Sequence, residues 1–123
     1  MQTIRFNSLN LSNDDFLLDM GCGEGRHSIG AYLETKVNVL GFDLSINDLR
    51  TARSRLDDFD TSDIQSLCQF GRADIISLPF ADCSLDAVIC SEVLEHVDSP
   101  QKSIEELIRV LKPCLLYTSP SPR

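Results

Sequence analysis

The residues best suited to chemistry are three glycines at alternate positions, Gly21, Gly23 and Gly25, between an apolar run and a helical segment. The stretch is Leu17-Leu18-Asp19-Met20-Gly21-Cys22-Gly23-Glu24-Gly25-Arg26-His27-Ser28. Glycine is needed where a chain turns sharply and where a ligand must touch backbone with no Cβ in the way. The helix that follows brings free backbone amides. Together these features describe a nucleotide-type corner at the carboxyl ends of parallel strands. A dinucleotide fingerprint would be G-x-G-x-x-G. Counted from Gly21 and Gly23, its third glycine falls at position 26, which is Arg26, and Gly30 comes too late. The pattern present is D-x-G-x-G-x-G, from Asp19 to Gly25. A second acid, Asp43, closes the next apolar run twenty residues after Gly23. A carboxylate at that spacing is placed to accept from both hydroxyls of a ribose.

The elements that must position these residues can be read from periodicity. Phe16–Met20, Val37–Asp43 and Leu85–Ser91 are short, nearly continuous apolar runs, with a weaker one at Ser66–Arg72. Such runs suit strands buried on both faces of a parallel sheet. Helices are expected between them. Arg26–Glu34 carries Ile29 and Leu33 one turn apart. Ser45-Ile46-Asn47-Asp48 reads as a helix cap, followed by Ile46, Leu49, Ala52 and Leu56 on one face. Ser99 and Pro100 open a last helix with an apolar stripe of Ile104, Leu107, Ile108 and Leu111. Strand–helix alternation at this pace predicts an α/β fold, a doubly wound and mostly parallel sheet.

Beyond the glycine loop, four further segments occur in a familiar order. They are Gly41-Phe42-Asp43-Leu44-Ser45, Ala73-Asp74-Ile75-Ile76-Ser77-Leu78-Pro79-Phe80, the run from Phe80 through Ile89 to Val97, and Arg109-Val110-Leu111-Lys112-Pro113. With Asp19–Gly25 they resemble the ordered motifs of class I S-adenosylmethionine-dependent methyltransferases, in particular the domain of ubiquinone, menaquinone and related small-molecule methyltransferases. The resemblance implies a Rossmann-like fold of seven strands, of which this chain would hold strands one to four. It implies S-adenosyl-L-methionine as cofactor. Gly21, Cys22, Gly23 and Gly25 would wrap its methionine part, and Asp19 would face its amino group and sulfonium. Asp43 would take the ribose and Leu44 would lie against the adenine. Asp74 would accept from the adenine amino group, the Ile75 amide would reach the ring, and Cys90 would border the same site. Asp19 has an alternative role, capping the loop that follows it.

The same resemblance places the acceptor pocket after the fourth strand. His96 there is a candidate general base, because histidine titrates near neutrality. Glu92 has similar standing, and for both the alternative is a purely structural role. His27 reads as a surface or packing residue. Two other readings remain: a cofactor-binding fragment or pseudoenzyme without transfer, and a dinucleotide-dependent oxidoreductase.

Composition narrows the partners. The 123 residues carry a formal net charge of −8 and a pI near 4.5. Nucleic acid is disfavoured, since backbone phosphates are met by clustered Lys and Arg. No apolar stretch approaches the roughly 20 residues of a membrane span. A small-molecule acceptor is expected. Five cysteines, none in a CxxC pair, fit neither a disulfide framework nor a zinc site. Reduced thiols and a start without a signal-peptide pattern suggest the cytoplasm. No metal-ligand spacing stands out.

The last ten residues, Cys114–Arg123, depart from the family pattern, which would continue with glycines and a fifth strand. They resemble a translated transposon-type sequencing adapter over their whole length. The expectation is therefore a partial domain at 1–113, a foreign tail at 114–123, and a fourth strand left as an open edge.

Overall fold

A computed structural model describes residues 11–90 and 97–118, with backbone alone for 113–118. The elements follow in the order β1 (Phe16–Met20), α1 (Arg26–Thr35), β2 (Asn38–Asp43), α2 (Ile46–Leu56), β3 (Cys68–Arg72), β4 (Leu85–Cys90), α3 (Pro100–Val110) and β5 (Leu111–Thr118). The strands form one sheet in the order β3-β2-β1-β4-β5, and every pairing is parallel. The chain builds outward from β1 to β3, then returns to place β4 on the other side of β1. Order therefore reverses between β1 and β4, where ligands enter doubly wound sheets, at the carboxyl ends.

Side chains alternate across a strand. In β1, Leu18 and Met20 face a core shared with Val88, Leu107 and Val110. Leu17 faces the opposite core with Ala31, Tyr32, Val37 and Val39. α1 and α2 cover that second face, and Ile29, Leu49, Ala52 and Phe70 meet between them. The expected α/β class and the strand–helix alternation are what the structure shows.

Four expectations need correction. The stripe expected on α3 is rotated: Ser103, Leu107 and Val110 are fully buried, while Ile104 and Ile108 are 37% and 61% exposed. A serine can sit in this core because its hydroxyl donates to the Ser99 carbonyl at 3.0 Å, which costs it no hydrogen bond. The Ser99 side chain itself makes no cap, although Pro100 does occupy the first turn. In α2 the cap is as expected, with Ser45 Oγ accepting from the Asp48 amide at 3.2 Å, but Ile46 is exposed.

The fourth correction concerns the edge. β4 is not open: Leu111–Thr118 runs parallel to it, pairing Ala87 with Leu116, Val88 with Tyr117 and Ile89 with Thr118. The strand crosses the boundary expected at Pro113. An uncovered strand offers a row of unpaired amides and carbonyls, and Leu115-Leu116-Tyr117-Thr118 has the composition that fills it. The match is irregular, with a register shift between Leu85 and Ala87.

Candidate functional site

The carboxyl end of β1 passes directly into the glycine loop, whose backbone is fastened to the end of β2. The amides of Gly21 and Cys22 both donate to the Phe42 carbonyl, at 2.7 and 3.0 Å. The Gly23 amide donates to Asp43 Oδ2 at 2.8 Å. Asp43 Oδ1 accepts from the Ser45 amide at 2.9 Å, at the mouth of α2. One carboxylate thus holds both the loop and the helix entrance. A carboxylate has about four acceptor positions, so capacity is left for a ligand diol.

All three loop glycines have positive φ: 79° at Gly21, 55° at Gly23 and 87° at Gly25. At Gly25 space adds to the constraint, because a Cβ would stand 2.8 Å from Cβ of Ala52. At Gly23 no atom beyond the adjoining residues lies within 4 Å of that position. This is an open cradle of backbone, as a ligand pressed on the loop requires.

Asp19 sits beneath the loop rather than in it. It is 2% exposed, and its carboxylate accepts from Ser28 Oγ at 2.6 Å on the first turn of α1. Gly41 is paired with Asp19 across the sheet, and a Cβ there would lie 2.7 Å from that hydroxyl. The glycine leaves the space in which the Asp19–Ser28 bond forms. Burial raises the Asp19 carboxyl to a pKa of about 6; the Ser28 bond opposes this, and the charge of Asp43 adds to it. Cys22 is half-buried and its thiol is pushed strongly upward, first by burial and then by Asp19 and Asp43. That thiol is protonated at neutral pH, which removes it as a nucleophile.

The third part of the site follows β3. Asp74 is exposed and opens a tight turn, its Oδ1 accepting from the Ile76 amide at 3.2 Å and its carbonyl from the Ser77 amide at 2.9 Å. Ile75 is buried. A cavity of about 130 Å³ joins the three strand ends, lined by Met20, Gly21, Asp43, Leu44, Asp74, Ile75 and Val97. Its walls are mainly apolar, and Asp43 and Asp74 are the two carboxylates among them. Leu44 is 54% exposed, an apolar side chain held at the mouth of the cavity.

Five of the residues expected at the cofactor, Gly21, Asp43, Leu44, Asp74 and Ile75, therefore meet on one cavity. Cys22, Gly23 and Gly25 shape the loop beside it. Cys90 ends β4 opposite Met20, with its side chain in the core. Glu92 and His96 lie outside the described residues. A larger hollow of about 520 Å³, lined by Asn13, Lys36, Asn38 and Ser66 among others, lies at the amino ends of the strands, away from the glycine loop.

Comparison with known proteins decides the family. A model of the methyltransferase domain matches residues 18–114, from β1 into β5. The chain belongs to the class I S-adenosylmethionine-dependent methyltransferases. This methyltransferase domain is 37% identical over 112 residues to a demethylmenaquinone methyltransferase of Clavibacter sepedonicus, covering 86% of the chain and 43% of the relative. It is 34% identical over 105 residues to the 27-O-demethylrifamycin SV methyltransferase of Amycolatopsis mediterranei, covering 85% and 38%. Among solved structures, geranyl diphosphate methyltransferase in complex with SAM superposes with a TM-score of 0.81 at 22% identity, covering 93% of the chain and 45% of that protein. The [4+2]-cyclase SpnF has the same fold at a TM-score of 0.81 and 24% identity, covering 92% and 40%. The domain spans 34% to 43% of the length of the first four curated relatives.

Sequence reasoning missed Ser28. It had a signal, a small polar residue at the first turn of a helix otherwise packed against β1, but nothing in the spacing named Asp19 as its partner.

The raised pKa of Asp19 gives a pH dependence. The folded chain holds this proton more tightly than the unfolded chain, whose carboxyl titrates near 3.8. Stability from this group is fully present below about pH 4 and is lost as pH rises to about 6. At roughly 1.4 kcal/mol for each tenfold change in proton affinity, the ionised form costs the fold about 3 kcal/mol. In urea unfolding from pH 4 to 8, Asp19→Asn should flatten this fall. A profile parallel to wild type would refute the assignment.

Proposed function

We propose that this chain binds S-adenosyl-L-methionine across the carboxyl ends of β1, β2 and β3 and serves methyl transfer to a small-molecule acceptor. The observation that carries the reading is the apolar cavity flanked by Asp43 and Asp74 and bordered by the glycine loop. S-adenosyl-L-methionine, when bound, would supply a methyl carbon activated by its sulfonium; an acceptor nucleophile would bond to that carbon as the carbon–sulfur bond breaks and S-adenosylhomocysteine leaves. The work left to the protein is alignment and exclusion of water. Gly21 and Gly23 present bare backbone to the methionine part, and Asp19 adds negative charge beneath it. Asp43 accepts from the ribose hydroxyls. Leu44 and Ile75 enclose the adenine, and Asp74 takes its amino group. Small-molecule acceptors are supported by the names of the relatives, which act on demethylmenaquinone and 27-O-demethylrifamycin SV.

A second reading is cofactor binding without methyl transfer; a neighbour with this fold is a [4+2]-cyclase, so the fold alone does not require transfer. A fold shared by different chemistries does not by itself assign one. The dinucleotide reading has Arg26 against it, where its third glycine should be.

We also propose that residues 114–123 are foreign to the natural protein, on the strength of their adapter-like sequence. Sequencing the locus from long amplified DNA should give different codons after Pro113. A reading frame that runs through Cys114–Arg123 would overturn this.

Calorimetric titration with S-adenosyl-L-methionine and with NAD tests the main reading. Binding of the first alone is expected, and Asp43→Ala should weaken it by about 1–3 kcal/mol, the scale of a lost partner to a buried polar group. Binding of NAD alone, or unchanged affinity in the variant, would contradict it.

A further inference from the structure

The segment that carries Asp74 and Ile75 has few internal ties, yet it is held hard at its downstream end. The Leu78 peptide is gripped on both sides by α3. Its amide donates to Glu106 Oε2 at 2.6 Å, and its carbonyl accepts from Arg109 Nη2 at 3.1 Å. Arg109 also reaches the Phe80 carbonyl at 2.9 Å and Asp82 Oδ1 at 2.7 Å, both through Nη1. Its Nε and Nη2 form a fork on Glu106 at 2.9 and 2.8 Å. This pairing holds Glu106 below the usual carboxylate range and raises Arg109, whose guanidinium is then permanently charged. Upstream, the segment leaves β3 with the Ala73 amide on the Asp43 carbonyl at 3.2 Å. Between the two anchors lies the single Asp74–Ser77 turn, with Ile75 and Leu78 buried against Leu107 and Val110.

We propose that Glu106 and Arg109 are positioning residues for adenine recognition. Neither lines the cavity; they fix the height at which Asp74 and the Ile75 amide meet the base. The proposal rests on the reading of residues 74–80 as the adenine segment. A planar fork is needed, because one group must serve two carbonyls and two carboxylates at set angles, which a lysine ammonium cannot do. With the Leu78 amide and carbonyl released, the hydrogen bonds left between Asp74 and Ser77 are local, and only the burial of Ile75 and Leu78 still holds that turn to α3.

The test uses the full chain as wild type, Arg109→Lys and Glu106→Gln. The second variant keeps size and an acceptor, so it guards against simple misfolding of the first. The probes are S-adenosylhomocysteine and S-inosylhomocysteine, which differ in the group at the 6-position that Asp74 would read. Wild type should prefer the adenosine form. Both variants should lose about tenfold of that preference, the size of one hydrogen bond. Hydrogen exchange should quicken at Ile76–Leu78 while the amides of β1 stay protected. A clamp that only stabilises the fold would weaken both ligands equally and leave the ratio unchanged, and that result overturns the proposal. Wild type that binds neither ligand, or does not distinguish them, overturns the adenine reading itself and this inference with it.

Discussion

The Asp43 carboxylate is the joint on which the site depends. It stands at the end of β2, and its two oxygens take amides from different elements, Gly23 in the loop and Ser45 at the start of α2. Backbone amides in a tight loop have no helix or sheet to satisfy them, and a buried orphan is costly. Here the carboxylate and the neighbouring Phe42 carbonyl receive three such amides of the loop, those of Gly21, Cys22 and Gly23. The loop takes positive φ at each glycine and stays open on its outer side. The proposed binding surface and its structural support are thus the same atoms. That is economical for recognition, since a ligand meets a preformed cradle and few groups must be ordered on binding.

Two other anchors hold the walls. Below the loop, the Asp19–Ser28 bond ties β1 to the first turn of α1 at the cost of a carboxylate in a dry setting. On the far side, Glu106 and Arg109 hold the segment after β3. All three anchors cross from a strand or loop to a helix. Parallel strands leave their carboxyl ends to separate loops, and each loop needs a tie of its own if one cavity is to result. At the amino end of the sheet the tie is different: buried Asp86 accepts from the Phe16 amide and pairs with Lys112, which joins three strands directly.

Most of this architecture was legible in the sequence where a local rule has one physical cause. Gly21, Gly23 and Gly25 announce positive φ, the acid at 43 announces a strand end, and Ser45 announces a cap. What was hidden depends on tertiary partners. The stripe of Ile104, Leu107, Ile108 and Leu111 suggested one helical face, but α3 ends at Val110 and Glu106 and Arg109 turn toward residues 78–82, so Leu107 and Val110 go inward and Ile104 and Ile108 outward. Ser28 gave no sign of its bond because its partner lies across a loop. β5 was not foreseen because only its first residues, Leu111-Lys112-Pro113, belong to a family motif, while those that pair with Ala87, Val88 and Ile89 lie beyond it. The roles of Glu92 and His96 belong to a segment outside the described residues.

The central claim is that the cofactor binds at the carboxyl ends of β1, β2 and β3. Amide chemical-shift mapping of the labelled chain with S-adenosylhomocysteine tests it most directly. The account predicts shifts concentrated at Gly21, Gly23, Leu44 and Ile75. Shifts concentrated instead at Asn13, Asn38 and Ser66, at the amino ends of the strands, would contradict it.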